Sequence, residues 1–283
     1  MPHRFIQLFL TPTPGARLRA RAAALCRTLE ARGTEVLLTD SGYAPLAIDP
    51  RADHVCAVGG DGTLRYVVDA ARKLDRPVAV SVYPGGTVNL VAMEYRCPAK
   101  PEAFARRLLE GLPNVRHFAS IAGLPLLACA SAGPDSHAVA GVSSAMKARL
   151  GRYAYVAAFL RVLARWPRPK LVLHHDGAVT ECEAVYIAKG PYFAGPWSFA
   201  PDATGADPSL HVVALPVATR RAFLRFVWAM FRNRVPDLAD AHSFTCRELV
   251  ISGPPTVPLQ GDGDVVAYLP VTIGMEADPI RFV

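Results

Sequence analysis

Two short stretches concentrate residue types that can hold a phosphate. The first is Gly59-Gly60-Asp61-Gly62-Thr63, placed between the apolar run HVCAV and an apolar pattern at helical spacing, TLRYVVDAARKLD. Glycines there leave backbone N–H groups uncovered and permit positive φ, and a strand-to-helix junction aims those groups at an anion. Thr63 is expected to cap the helix and to add a hydroxyl donor. The pattern is neither the Walker sequence nor G-x-G-x-x-G, and a tight turn with Asp61 opening the helix explains it alone almost as well. The second stretch, YPGGTVNLVA at 83–92, repeats the logic with Gly85, Gly86, Thr87 and Asn89. If the two preceding strands are parallel neighbours, both loops lie on the sheet edge where α/β folds bind ligands, and together they form a polyphosphate cradle.

The elements that would position these loops alternate through the first half. Strands are expected over 3–11, 34–39, 54–60 and 76–86, with helices over 16–33, 63–75 and 100–113. Strands separated by helices imply parallel pairing with right-handed crossovers. From about residue 115 the chain changes character: apolar strand-like runs such as KLVLHHDG, ECEAVYIAKG and LHVVALPV recur with turn signals, interrupted by helical segments near 143–165 and 218–233. That spacing suggests an antiparallel sheet or sandwich. The expected architecture is therefore an α/β nucleotide-binding domain over 1–118, to which residues 278–283 return, and a β-sandwich domain over 119–277, with a ligand cleft between them.

Bulk properties narrow the setting. The 283 residues are 51% hydrophobic, enough to bury a sizeable core. No apolar run approaches the roughly 18 residues that span a bilayer, and the N-terminus lacks a signal-peptide pattern, so a soluble cytoplasmic protein is expected. The six cysteines are scattered without a C-x-x-C, which suits free thiols in a reducing compartment. A formal charge of +7 favours anionic partners. Nucleic acid is set aside because no recognition motif accompanies the basic residues. The adjacent His174 and His175 point to opposite faces of a strand and make an exposed turn rather than a metal pair.

GGDGT (59–63) followed by P-G-G-T-x-N-x-x-A (84–92) resembles the diacylglycerol kinase catalytic-domain family, which includes bacterial lipid kinases, sphingosine kinases and ceramide kinases. The resemblance continues through ASAGPDSHAVAGVSSAMKARLGRY, the loop FAGPWSFAPDATGADPSL and the segment LQGDGDVVAYLPVTI, in the family's order along most of the chain. It implies an α/β domain plus a β-sandwich domain, with ATP and Mg2+ as cofactors and a membrane lipid as substrate. On this resemblance Gly59, Gly60, Asp61, Gly62 and Thr63 hold the ATP phosphates, with Asp61 near magnesium. Gly86, Thr87, Asn89 and Asp262 join the nucleotide site, and Thr39 at the end of the second strand touches it. Asp264, in Asp262-Gly263-Asp264, stands where the family has the glutamate proposed as general base. A structural magnesium found in some bacterial members corresponds to Asp207, Thr204 and the Ser209 region. GGDGT alone is shared with NAD kinases, so an NAD kinase is the alternative enzyme. A nucleotide- or lipid-binding protein with little catalysis is the alternative from another class.

Several positions depart from the family pattern. Thr11 replaces an asparagine, Arg65 and Tyr66 occupy the region just after GGDGT where the family often has a glutamate, Asp264 is one methylene shorter than glutamate, and Asp207 is followed by proline. Because Asp-Gly is also a common hairpin signal, the alternative for Asp264 is a turn residue with no catalytic part. Two segments, 147–170 and 220–236, mix arginines with aromatic and aliphatic residues, five arginines in the second alone. They suit peripheral contact with the inner face of an anionic membrane, or an ordinary packed helix with solvated arginines. A homodimer is left open.

Overall fold

The computed structural model describes residues 5–41, 45–142, 158, 162–164 and 166–283. Two compact units emerge, one formed by residues up to His117 together with Ala277–Val283, the other by Phe118–Glu276.

In the first unit the order is β1 (Phe5–Leu10), α1 (Ala16–Glu30), β2 (Glu35–Asp40), β3 (His54–Gly59), α2 (Asp61–Ala71), β4 (Ala79–Pro84), α3 (Leu90–Glu94), α4 (Pro101–Glu110) and β5 (Asn114–Arg116). The sheet runs β2-β1-β3-β4, then the C-terminal strand Ile280–Phe282, then β5. The first four strands pair in parallel, as does the C-terminal strand with β4; only β5 is antiparallel. Strands β1 and β3 are buried at every position, hence their continuous apolar sequences, whereas the edge strand β2 is mostly exposed. Helix α1 buries Leu18, Ala22, Leu25 and Leu29, spaced four, three and four residues apart, against Ile6, Leu8, Leu10, Cys56 and Val58 of the sheet. From β1 the chain winds one way to β2, and from β3 the other way to β4. The carboxyl ends of β1 and β3 therefore flank the switch point at which such sheets bind ligands. The loop at Thr11 and the loop at Gly60 leave from those ends.

Near the base of this sheet Arg116 is fully buried. It donates from Nη1 to Glu94 Oε2 at 2.7 Å, and its guanidinium lies 5.2 Å from the Tyr95 ring centroid and 5.9 Å from that of Phe282. A buried cation is tolerated when a carboxylate and aromatic faces replace its water.

The second unit is the expected β-sandwich. Strands β6 (Ala119–Ile121), β7 (Leu124–Leu126), β8 (Cys129–Ala132), β9 (Leu171–His175), β10 (Ala178–Cys182), β11 (Ala184–Ala188), β12 (Leu210–Leu215), β13 (His242–Cys246), β14 (Glu248–Ser252), β15 (Pro258–Gly261), β16 (Asp264–Tyr268) and β17 (Val271–Met275) form two six-stranded sheets. Their orders are β10-β9-β14-β17-β6-β7 and β13-β12-β11-β8-β15-β16. Neighbouring strands in both are antiparallel. Leu171, Leu173, Leu249, Ile251 and Ile273 of one sheet share a core with Val185, Ile187, Leu210, Val212 and Leu259 of the other. Helix α5 (Pro134–Ala140) follows β8, and α6 (Arg220–Phe231) follows β12. The basic segment 147–170 falls largely outside the described residues, so only 220–236 can be followed in the structure.

Candidate active site

The two glycine loops of the first unit are welded together by their backbones. Gly85 N–H donates to the Gly59 carbonyl at 2.8 Å, and a Cβ added to Gly86 would lie 2.5 Å from the Gly60 Cα. A Cβ on Gly59 would meet Thr63 Oγ1 at 2.5 Å and Thr11 Cβ at 3.2 Å. Glycine is required at these positions by close approach; side chains do not fit. Thr11, in the position of the family's asparagine, thus lies directly against the GGDGT loop.

Asp61 completes the weld. One carboxylate oxygen accepts the Leu90 N–H at 2.8 Å and the other the Val91 N–H at 3.0 Å. Charge-assisted bonds of this kind contribute about 1.5–3 kcal/mol each, so Asp61 holds the second loop in register with the first. Asn89 adopts a left-handed conformation, φ 62°. Its Oδ1 accepts the Gly86 N–H at 2.7 Å and its Nδ2 donates to the Gly86 carbonyl at 2.9 Å. Gly86 and Thr87 are left exposed at the loop tip.

Thr63 does not cap α2. The helix starts two residues earlier, with Gly60 at the N-cap and Thr63 as its third residue, buried. Because a glycine carries no capping side chain, the first-turn N–H groups of α2 keep no side-chain cap, the condition under which a helix N-terminus accepts an anion. Gly62 lies in that first turn. Thr39, the remaining residue assigned to this region, stands on the edge strand β2, where its Oγ1 accepts from Gln7 Nε2 at 3.2 Å.

In the second unit, Asp262 and Gly263 are the two turn residues between β15 and β16, with φ 48° and 87° and with Gly261 paired to Asp264. Two consecutive positive φ values mark a type I′ hairpin, so the hairpin reading holds for Asp262-Gly263. Asp264 is the first residue of β16 and is partly buried. The Asp262 carboxylate accepts N–H groups from Leu127 (3.0 Å), Ala128 (2.8 Å) and Cys129 (3.1 Å) and so ties the turn to the strand beside it.

A buried chain of hydrogen bonds supports the same turn, and the sequence did not reveal it. Gln260 Oε1 accepts the Gly263 N–H at 3.1 Å, Gln260 Nε2 donates to Ser131 Oγ at 2.9 Å, and Ser131 Oγ donates to Asp135 Oδ2. Burial raises the Asp135 carboxyl above its ordinary value. Gln260 sits in an apolar strand segment, and a lone amide in such a run is the available signal for a satisfied interior network.

Asp207 and Thr204 come together on one turn: Asp207 Oδ2 accepts the Thr204 N–H at 3.0 Å and lies 3.2 Å from His211 Nε2. Ser209 adjoins the start of β12. Among the described residues no group of three or more His, Cys, Asp or Glu side chains is placed to hold a metal ion. The six cysteines are free thiols. Burial pushes Cys56, Cys182 and Cys246 up to about 12 and Cys97 up to about 11. Among the described residues no helix is long and apolar enough to cross a membrane.

The chain is thus a mostly parallel α/β sheet with fused glycine loops after β3 and β4, followed by a two-sheet antiparallel sandwich. Comparison with known proteins gives that architecture a family. Residues 14–120 match the diacylglycerol kinase catalytic domain, and residues 128–282 match the YegS C-terminal NAD kinase beta sandwich-like domain. The chain belongs to the diacylglycerol kinase catalytic domain family, with the YegS-like bacterial lipid kinases. It is 24% identical over 255 residues to a protein named "Diacylglycerol kinase" from Bacillus subtilis, covering 83% of this chain and 81% of that one. It is 29% identical over 223 residues to "Probable lipid kinase YegS-like" from Pseudomonas fluorescens, covering 76% and 74%. A diacylglycerol kinase crystal structure from Bacillus anthracis superposes with a TM-score of 0.79 at 17% identity, covering 100% of this chain and 98% of that one, a likeness of fold. A diacylglycerol kinase catalytic domain implies ATP as the nucleotide.

Proposed function

We propose that this protein transfers the γ-phosphate of ATP to a hydroxyl of a membrane lipid, diacylglycerol or a related long-chain alcohol. The observation that carries the reading is the Asp61 clasp. It fuses the two glycine loops into one cradle beside an uncapped helix N-terminus. Phosphoryl transfer asks mainly for such positioning and for charge stabilisation.

In this reading the N–H groups at the start of α2 bind the phosphates, and Thr87, exposed at the tip of the second loop, adds a hydroxyl. Magnesium, arriving on ATP, would neutralise the phosphate charge, with Asp61 as the acidic side chain of the two loops nearest to it. Asp264 takes the proton from the lipid hydroxyl as its oxygen bonds to the γ-phosphorus. The bond from that phosphorus to the β-γ bridging oxygen breaks, and ADP leaves. The hairpin and the Gln260–Ser131 chain fix the backbone that carries Asp264.

Helix α6 supports a lipid surface as the partner. Its packed side buries Phe223, Phe226 and Met230, with Phe226 stacked on Tyr186 at 4.5 Å. On the opposite side, Leu224, Trp228 and Phe231 form a stripe at i, i+4 and i+7 and are 58%, 62% and 45% exposed. Exposed Arg221 and Arg232 flank the stripe. A helix packed on one side and apolar on the other, edged with arginine, suits the boundary of an anionic membrane.

The test incubates purified protein and radiolabelled γ-ATP with a total lipid extract and, separately, with NAD. A labelled lipid and no labelled NADP is the expected result. Label only in NADP, or in neither, overturns the proposal.

A further inference from the structure

The family resemblance implies a structural divalent ion on Thr204, Asp207 and the Ser209 region, and the side chains around that turn do not fit one. Lys189, the residue directly after β11, is 1% exposed and reaches into the turn. Its Nζ donates to the Asp207 carbonyl at 2.7 Å and to the Thr204 carbonyl at 3.1 Å. A divalent ion on this loop would need those same carbonyl oxygens together with the Asp207 carboxylate. That carboxylate already accepts the Thr204 N–H and lies within hydrogen-bond distance of His211. Thr204 Oγ1 accepts the Ala206 N–H at 3.2 Å and so is turned back on its own loop. A metal ion entering here would share its oxygen ligands with an ammonium at close range, and two cations in a poorly screened interior repel strongly.

We infer that Lys189 is the cation of this loop: an ammonium group supplied by the chain stands in the role a bound metal would otherwise fill, and the second unit holds its 204–210 turn without a divalent ion. The lysine's length is what makes this possible. Its backbone directly follows a core strand, and the four-carbon stem spans from there to the turn, so the charge is delivered to the Asp207 carbonyl and to the Thr204 carbonyl, which also accepts the Asp207 N–H at 3.2 Å. The inference holds whichever acceptor receives the phosphate, because it concerns a different part of the chain.

The experiment uses the full-length protein, stripped of metal and free of nucleotide, and follows thermal unfolding and calorimetric binding with added MgCl2 or CaCl2. The wild-type Tm is expected to stay within about 1 °C of its value in EDTA, since a ligand that does not bind the native state cannot shift it. Lys189→Met, which keeps the stem and loses the charge, is expected to lower Tm by roughly 5 °C or more. Lys189→Ala, which also clears space, is expected to recover part of its loss in millimolar Mg2+ or Ca2+. A stoichiometric, metal-dependent rise in the wild type that disappears in Asp207→Asn would overturn the inference, as would a Lys189→Met protein with the wild-type Tm. If the lysine variants do not fold, the wild-type titration and its Asp207→Asn control decide alone.

Discussion

Gly60 and Gly86 meet backbone to backbone, with room for no side chain on either: a Cβ on Gly86 would sit 2.5 Å from the Gly60 Cα, and one on Gly60 would sit 3.1 Å from the Gly86 Cα. The two glycine loops are here one object, and their close fit comes from the absence of side-chain atoms.

Gly86→Ala should therefore spread the loops. The nearest atom is the Gly60 Cα, which belongs to the backbone, so the backbone must move. Overpacking of this kind costs about 1–3 kcal/mol. Calorimetry should show ATP affinity reduced at least about tenfold, the equivalent of about 1.4 kcal/mol. An unchanged affinity would show that the contact is not needed for the cradle.

Asp61→Asn tests the clasp from the other side. Asparagine offers one acceptor oxygen for two N–H groups, so one of Leu90 and Val91 loses its partner at a cost of about 1–3 kcal/mol. Thermal unfolding should register that loss, and lipid phosphorylation should fall by about 100-fold or more as the loop and the local charge are both altered. A variant with normal Tm and normal turnover would leave Asp61 without either role.

Asp264→Asn should separate chemistry from binding. Removing a general base lowers turnover by about 10²- to 10⁴-fold, while ATP affinity and Tm stay near wild type, because Asp262 and Gln260 hold the hairpin. Asp264→Glu lengthens the side chain by one methylene and should retain activity. Undiminished lipid phosphorylation by Asp264→Asn would remove the base from this residue.

Trp228→Glu, and Leu224→Glu beside it, should weaken sedimentation with vesicles rich in phosphatidylglycerol by about tenfold per substitution, since each removes an apolar anchor and adds a repelled charge. Both side chains are mostly exposed, so Tm should stay within about 2 °C. Vesicle binding equal to wild type would assign the stripe to something other than lipid.

Asp135 predicts a pH dependence. Burial raises its carboxyl pKa in the folded chain above the unfolded value. Between those two values the unfolded state has released a proton that the folded state still holds, so this group's contribution to stability is greatest in acid. It is lost as pH rises from the unfolded value through the folded one. Asp135→Asn cannot titrate. Its Tm relative to wild type should rise between about pH 4 and neutrality; a difference that is flat with pH would contradict the argument.

Much of this protein could be read from residue order alone, because local physics decides it. The apolar runs at 54–59 and 79–84 read as buried parallel strands, the glycines at 59, 60, 85 and 86 read together as paired loops at one sheet edge, and Asp262-Gly263 carries its turn type in its own φ preferences. The sandwich, too, followed from recurring short apolar runs. Boundaries were less legible: the helix after GGDGT begins at Asp61 because Gly60, free of a Cβ, takes the N-cap, and Thr63 is drawn into the first turn. What only the tertiary structure decided is who partners whom across the chain. Asp61 and Val91 lie 30 residues apart, Asp262 and Cys129 lie 133 apart, and Lys189 reaches a turn whose sequence suggested a metal ion. A carboxylate or an ammonium has no directional preference written in its own stretch of sequence. Its partner is whichever unsatisfied N–H or carbonyl the packed strands bring within about 3 Å, and that is settled only when the sheets close.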